Sequence, residues 1–146
     1  MLMSRASRLA IEALVELADL PPQEWIGSEE LARGTGDQAF LQQILNRLVR
    51  EGIARSKKGR GDGYQLARNP KALTLRAVIE SIDGRGVERC MLDSTPCDGR
   101  RRCRLESTWH PIRDHLLSFE RTETIQSIAE RSRGTVDRFD LSELDG

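Results

Sequence analysis

The chain has 146 residues, enough for one domain or a small domain with an extension, and 38% hydrophobic against 32% charged residues give a modest core under a heavily charged surface. The formal net charge is zero, so overall charge carries no argument about nucleic acid. No run approaches the roughly 18 apolar residues that cross a bilayer, and Ser4, Arg5 and Ser7 follow Met1-Leu2-Met3 where a signal peptide would have its apolar core. The expectation is a cytoplasmic protein with no membrane partner.

Residues 4–19 carry Ala6, Leu9, Ala10, Ala13, Leu14, Leu17 and Ala18, the stripe of a helix packed on one face, with Pro21-Pro22 to stop it. A second helix is expected over 28–33, with Ser28 as N-cap and Glu29 and Glu30 at the positive end of its dipole. After Gly34-Thr35-Gly36 a third helix runs over 38–50. Leu41, Ile44, Leu45 and Leu48 face the core, Gln38, Gln42 and Arg47 face outward, and Gly52 closes the helix. Two short strands, 53–56 and 64–68, flank Gly59, Gly61 and Gly63 together with Lys57, Lys58 and Arg60, which reads as a basic β-hairpin. Thr74 caps a helix over 75–82, with Leu73 placed to staple onto Val78.

Residues 85–104 read as a loop. Beyond it Leu105, Trp109, Ile112, Leu116 and Phe119 fall at heptad spacing, suited to a helix–helix seam. Pro111 interrupts that pattern, so the helix starts near His110 or kinks at the proline. A short helix over 123–131 and an acidic tail complete the chain.

Charge is distributed unevenly. Between Arg47 and Lys71, Arg47, Arg50, Arg55, Lys57, Lys58, Arg60, Arg68 and Lys71 stand against only Glu51 and Asp62, a local patch of the kind that meets phosphates. Helix, helix, glycine turn, helix and basic hairpin is the order of a winged helix-turn-helix, so the fold class is mainly α with a small β-hairpin wing. Gln38, Gln42 and Gln43 can each pair with adenine, Arg47 and Arg50 can reach phosphate or guanine, and Lys57, Lys58 and Arg60 can follow the backbone or enter the minor groove. Two half-sites bind better than one, so a homodimer joined through the helix after the loop is expected.

The three cysteines lie in CMLDSTPCDGRRRC, spaced C-x6-C-x5-C as Cys90, Cys97 and Cys103. In a reducing compartment such a cluster points to metal or redox chemistry rather than a structural disulfide. Zinc sites use tight C-x2-C or C-x4-C pairs, which are absent here. The looser gaps suit a larger object such as an iron–sulfur cluster, which takes four ligands. Glu106 and His110 follow Cys103 and are four apart, so a helix puts both on one face.

These segments together resemble the IscR/NsrR family of winged-helix iron–sulfur transcription regulators. The likeness runs through SRLAIEALVELA, FLQQILNRLVREGI, KGRGDGYQLAR, LTLRAVIESIDG, the cysteine loop, LESTW and TIQSIAE. It implies a homodimer with a long dimerisation helix, a cluster bound by Cys90, Cys97 and Cys103, and promoter binding tuned by cluster state. It also implies DNA contacts at Gln38, Gln42 and Lys58. Where IscR-like proteins have a histidine three residues after the third cysteine this chain has Glu106, and where NsrR-like proteins have an aspartate in the first helix it has Arg8. The metal set is read as Cys90, Cys97, Cys103 and Glu106, with His110 as the competing fourth ligand and a 2Fe–2S cluster favoured over 4Fe–4S.

The chain then divides into a winged helix-turn-helix head (1–84), a cluster-binding loop (85–104), a dimerisation helix with a short C-terminal helix (105–132) and a flexible acidic tail (133–146). The functional expectation is a dimeric promoter-binding regulator, a repressor, that senses iron, redox state or nitric oxide. The alternatives are a cluster-free thiol-switch regulator and a winged-helix module that binds protein. No Ser-His-Asp set, phosphate loop or C-x2-C redox pair suggests an enzyme.

Overall fold

The structure is a computed structural model that describes residues 3–84, 88, 97 and 103–134. Cys90 and most of the acidic tail lie outside the described residues, as does the greater part of the predicted loop. The elements are helices α1 (Arg5–Ala18), α2 (Ser28–Leu31, continued by a 3-10 turn Ala32–Gly34) and α3 (Gln38–Arg50), strands β1 (Ala54–Lys57) and β2 (Gly63–Leu66), and helices α4 (Leu75–Asp83), α5 (Glu106–Thr122) and α6 (Ile125–Gly134). A mostly helical body with a two-stranded antiparallel wing is the expected architecture.

The core forms where the apolar stripes meet. Leu9, Ala10, Ala13, Leu14 and Leu17 of α1 pack with Leu41, Ile44, Leu45 and Leu48 of α3, and with Leu73, Val78 and Ile125. Burying each large aliphatic side chain contributes roughly 1.5–3 kcal/mol against leaving it in water. Helix α1 lies at the centre, in contact with α3, α4 and α6.

Helix ends follow their capping chemistry. The Ser4 hydroxyl accepts from Ser7 N at 3.1 Å, and the Thr74 hydroxyl accepts from Ala77 N at 3.2 Å. Leu73 and Val78, both buried, bracket the second cap as a staple. Helix α3 ends in a Schellman motif: Ile53 N donates to Leu48 O, Gly52 N donates to Val49 O, and Gly52 sits at φ 69°. Helix α1 ends at Ala18, ahead of Pro21-Pro22, where its last turn tightens: Asp19 N bonds back to Val15 O and Glu16 O, and Leu20 N to Leu17 O. Ser28 is not an N-cap. That place falls to Gly27, without a side-chain bond, and α2 is a single turn tightening into 3-10.

In the wing, Ala54, Arg55, Ser56 and Lys57 pair with Leu66, Gln65, Tyr64 and Gly63. Each strand is displaced from its predicted limits: Ile53 is spent on the Schellman motif, and Ala67 N closes the far end on Ile53 O. A further pairing was not foreseen. Ile26 and Tyr64 exchange both backbone bonds, at 3.2 and 2.8 Å, giving the wing a third edge. A Cβ at Gly63 would stand 2.6 Å from Ile26 O, so this approach requires glycine.

Helix α5 begins at Glu106 rather than near His110. Its first turn closes on Leu105 O, which accepts from Trp109 N and the Thr108 hydroxyl, and Glu106 suits the positive end of the helix dipole. The helix then runs through Pro111. Helix α6 begins at Ile125, not Glu123, because Thr124 and Ser127 cap each other reciprocally. Glu123 is extended instead: its carbonyl accepts from Leu75 N, and Ile125 N donates to Leu73 O. These bonds tie the α5–α6 junction to the start of α4. Grouped with the dimerisation segment by sequence, α6 packs on α1, with Ile125 in the head's core and Ala129 fully buried.

Candidate nucleic-acid interface and cysteine site

Helix α3 turns its apolar face onto α1, which leaves the opposite face in solvent. The outer line is Ala39, Gln43, Asn46 and Arg50, all exposed. Gln43 and the exposed Gln38 keep the outward placement expected of base readers, although Gln38 Nε2 also lies 3.4 Å from the Ser28 hydroxyl. Gln42 is half-buried. Its Nε2 donates to the Tyr64 hydroxyl and lies 3.4 Å from Asn46 Oδ1, so its amide links α3 to the wing. Arg47 is exposed but bonded: its Nε donates to Ser81 O of α4 at 2.8 Å. Asn46, which sequence reasoning passed over, lies beside Gln42 on the outward face. The exposed spacing 39, 43, 46, 50 was the signal that could have found it.

The wing turn is exposed from Arg55 to Asp62, which turns Lys57, Lys58 and Arg60 to solvent. Trp25 braces its base, with the Arg55 guanidinium 5.8 Å and the Lys57 ammonium 5.9 Å from its ring centre. Gln65 holds Arg55 from across the sheet and donates to Glu24 O. Thus α3 and the wing present amide and cationic groups on a rigid frame, as the major groove and its flanking phosphates require.

Cys97 is held at its N–H, its carbonyl and its sulfur. Its N–H donates to Glu88 O at 2.8 Å, and its carbonyl accepts from Arg113 Nη1 at 2.7 Å. Its Sγ lies 3.3 Å from His110 Nε2. His110 and Arg113 are one turn apart on α5, so this helix clamps the cysteine from one face. Burial alone would lower the Arg113 pKa, but the bond to Asp114 and the nearby Cys97 sulfur outweigh it and hold the guanidinium above its ordinary value. Cys103 stands at the entry to α5, where Leu105 N donates to its Sγ at 3.4 Å. Glu106 is half-exposed and lies 3.9 Å from the other ring nitrogen of His110, Nδ1.

Among the described residues no set of three His, Cys, Asp or Glu side chains forms a metal site. The residues nevertheless fit a thiolate-bound group in kind. With bonds of about 2.3 Å to sulfur and about 2.0 Å to nitrogen, two ligands of one tetrahedral ion stand roughly 3.5 Å apart, close to the 3.3 Å between Cys97 and His110.

Two polar joints connect this region with the head. Buried Arg76 of α4 reaches buried Glu120 of α5 at 3.2 Å. It also lies 3.3 Å from Glu88, although that nitrogen has no aligned hydrogen bond and is held by charge. Glu88 is therefore attached to α4 by its carboxylate and to Cys97 by its carbonyl. The second joint is Asp83, which accepts from Ser4 N, the Ser4 hydroxyl and the Ser7 hydroxyl. Burial pushes the Asp83 carboxyl up, but these bonds, with Arg47 nearby, prevail and hold it below its ordinary value. On its outer side α5 exposes Ile112 and Phe119, at 54% and 50%, beside a shallow apolar groove lined also by Pro111, His115 and Leu116.

The family model for Rrf2, described as an iron-dependent transcriptional regulator, matches residues 3–131. The chain belongs to the Rrf2 family. YwgB of Bacillus subtilis is 28% identical over 99% of this chain and 93% of its own length. The transcriptional regulator IscR of Yersinia pestis is 25% identical over 88% of this chain and 79% of its own. Among solved structures, the global cysteine regulator CymR of Bacillus subtilis superposes with a TM-score of 0.76 at 20% identity, covering 88% of this chain and 96% of that one. That likeness bears on fold, and it agrees with the winged-helix architecture. This Rrf2 chain is a transcription regulator and not an enzyme, and its family supports DNA binding. Among the described residues no helix is long and apolar enough to cross a membrane.

Proposed function

We propose that this Rrf2 chain is a homodimeric repressor whose grip on promoter DNA is set by an iron–sulfur cluster, of the 2Fe–2S type, bound by Cys90, Cys97 and Cys103. The observation that carries the reading is the placement of Cys97, clamped to α5 by His110 and Arg113 and joined through Glu88 to Arg76 of the head. The bound cluster supplies redox and ligand-exchange chemistry at the thiolates. The protein's part is mechanical. Glu88 and Arg113 hold the Cys97 backbone, so a change at its sulfur is passed to α4 and α5. The apolar outer face of α5, with Ile112 and Phe119, is the surface on which two chains meet, and a shift of α5 changes the spacing of two heads. Gln38, Gln43, Asn46 and Arg50 face the groove, Gln42 and Arg47 set the pose of α3, and Lys57, Lys58 and Arg60 take phosphates.

The test is promoter binding by anaerobically reconstituted protein, with and without its cluster. A visible absorption band that is lost with cluster removal, and a change of tenfold or more in DNA affinity alongside it, is the expected result. Replacing Lys57, Lys58 and Arg60 together by alanine weakens both states alike and flattens the salt dependence of binding. A colourless protein after reconstitution, or equal affinity in both states, overturns the proposal. A second reading rests on the 3.3 Å approach of His110 to Cys97: Cys97 then acts as a redox thiol whose thiolate the imidazole stabilises. It predicts a response to peroxide that needs no iron.

A further inference from the structure

We propose that His110, through Nε2, is the protein's fourth ligand to the iron group, and that Glu106 is a positioning residue acting on its Nδ1. This rests on the cluster reading above and decides what that reading leaves open. Sequence placed Glu106 three residues after Cys103, and a carboxylate there was the first choice for the fourth ligand. The side chains are arranged otherwise. Nε2 of His110 is the ring atom that faces a cysteine sulfur, at 3.3 Å from Cys97. The Glu106 carboxylate lies on the side of the opposite ring nitrogen, 3.9 Å away, a charge contact that a small side-chain rotation would close to a hydrogen bond, and its side chain is 52% exposed where that of His110 is 21% exposed. An imidazole that binds metal through one nitrogen leaves the other carrying a proton, and a carboxylate beyond that proton fixes the ring plane and raises the basicity of the ligating atom. Cysteine sulfur, histidine and glutamate stand in that order here. Arg113 completes the arrangement one turn later on α5 by holding the Cys97 carbonyl, which fixes the cysteine relative to the imidazole.

The competing chemistry, direct ligation by Glu106, would require the carboxylate to turn away from His110 Nδ1 and towards the sulfurs. Charge distinguishes the two. Three thiolates with a neutral imidazole carry one negative charge fewer than three thiolates with a carboxylate.

The test uses the full chain, reconstituted anaerobically with ferrous iron and sulfide, then reduced and examined by pulsed EPR beside the variants His110→Ala, Glu106→Ala and Glu106→Gln. Wild type is expected to show coupling from one imidazole nitrogen, and His110→Ala to lose it. Both Glu106 variants keep the nitrogen signal. Glu106→Ala releases iron to a chelator about tenfold faster, within the range for loss of an outer carboxylate, and its cluster is easier to reduce. Glu106→Gln, which can still accept the Nδ1–H, restores part of the retention. Circular dichroism and unfolding midpoints that match wild type in the Glu106 variants exclude a merely structural role. A cluster-bearing wild type without nitrogen coupling, or a nitrogen signal that survives in His110→Ala, overturns the assignment while the cluster reading stands. A wild type that assembles no cluster overturns both.

Discussion

The Arg76–Glu120 pair gives the sharpest test of how α4 and α5 are joined. Both residues are buried, at 6% and 4% exposure, and their charged atoms are 3.2 Å apart. At an effective dielectric of about 20 their attraction is about 5 kcal/mol, much of it offset by the desolvation of both charges. Glu120→Gln keeps the shape and removes the charge. Glu88 and Glu80, at 3.3 and 3.8 Å, still partly balance Arg76 but are themselves more exposed. The expected cost is about 3 kcal/mol, the low end for breaking a buried pair, or roughly 6–12 °C in Tm for a chain of this size. The double variant Arg76→Met with Glu120→Leu removes both charges and keeps the volume, so its stability should return to within about 1 kcal/mol of wild type or exceed it. Urea unfolding of wild type, Arg76→Met, Glu120→Leu and the double variant reads the coupling directly. A double variant that loses as much as the two single variants combined refutes the reasoning, because the pair would then act through packing rather than charge.

Asp83 makes part of the stability depend on acid. Its folded carboxyl titrates below its ordinary value, so the stabilisation is complete at pH values above that value and is lost as pH falls below about 4 and through the depressed folded value. Asp83→Asn should cost about 2 kcal/mol at neutral pH by weakening the bonds from Ser4 and Ser7, and should flatten the acid limb of a stability-against-pH curve measured by urea titration. Gly63→Ala places a methyl group against Ile26 O. It should cost about 2 kcal/mol in unfolding free energy and increase hydrogen exchange at the Ile26 and Tyr64 amides.

Most of the head was legible in the sequence because its signals are local. Apolar periodicity fixed the buried faces of α1, α3 and α4, and Thr74 and Gly52 marked the ends they occupy. What escaped depends on partners far along the chain. Nothing near Ile26 announces its pairing with Tyr64, which is decided by the lack of a side chain at Gly63. Gln42 and Arg47 have the composition of DNA readers, but the Tyr64 hydroxyl and the Ser81 carbonyl, distant in sequence, hold them. At the cysteine site the spacing correctly put Glu106 and His110 on one face. It could not say which of them meets the sulfur, because that depends on how Cys97 docks on α5.

The joints also determine which part of α5 can respond. Its C-terminal end is fixed twice, by Glu120 to Arg76 and by the backbone bond from Leu75 to Glu123. Its N-terminal half meets Cys97 through His110 and Arg113. On the proposed reading, a disturbance at the sulfur would act on the N-terminal half of α5, with the Arg76 joint as the pivot. Ile112 lies on the N-terminal side of that pivot and Phe119 beside it. Rotation there changes how two such helices would meet while leaving the core of each head intact. The head would then keep its shape in both states, and the signal would appear as a change in the distance between two recognition helices. On DNA, that distance is what half-site spacing measures.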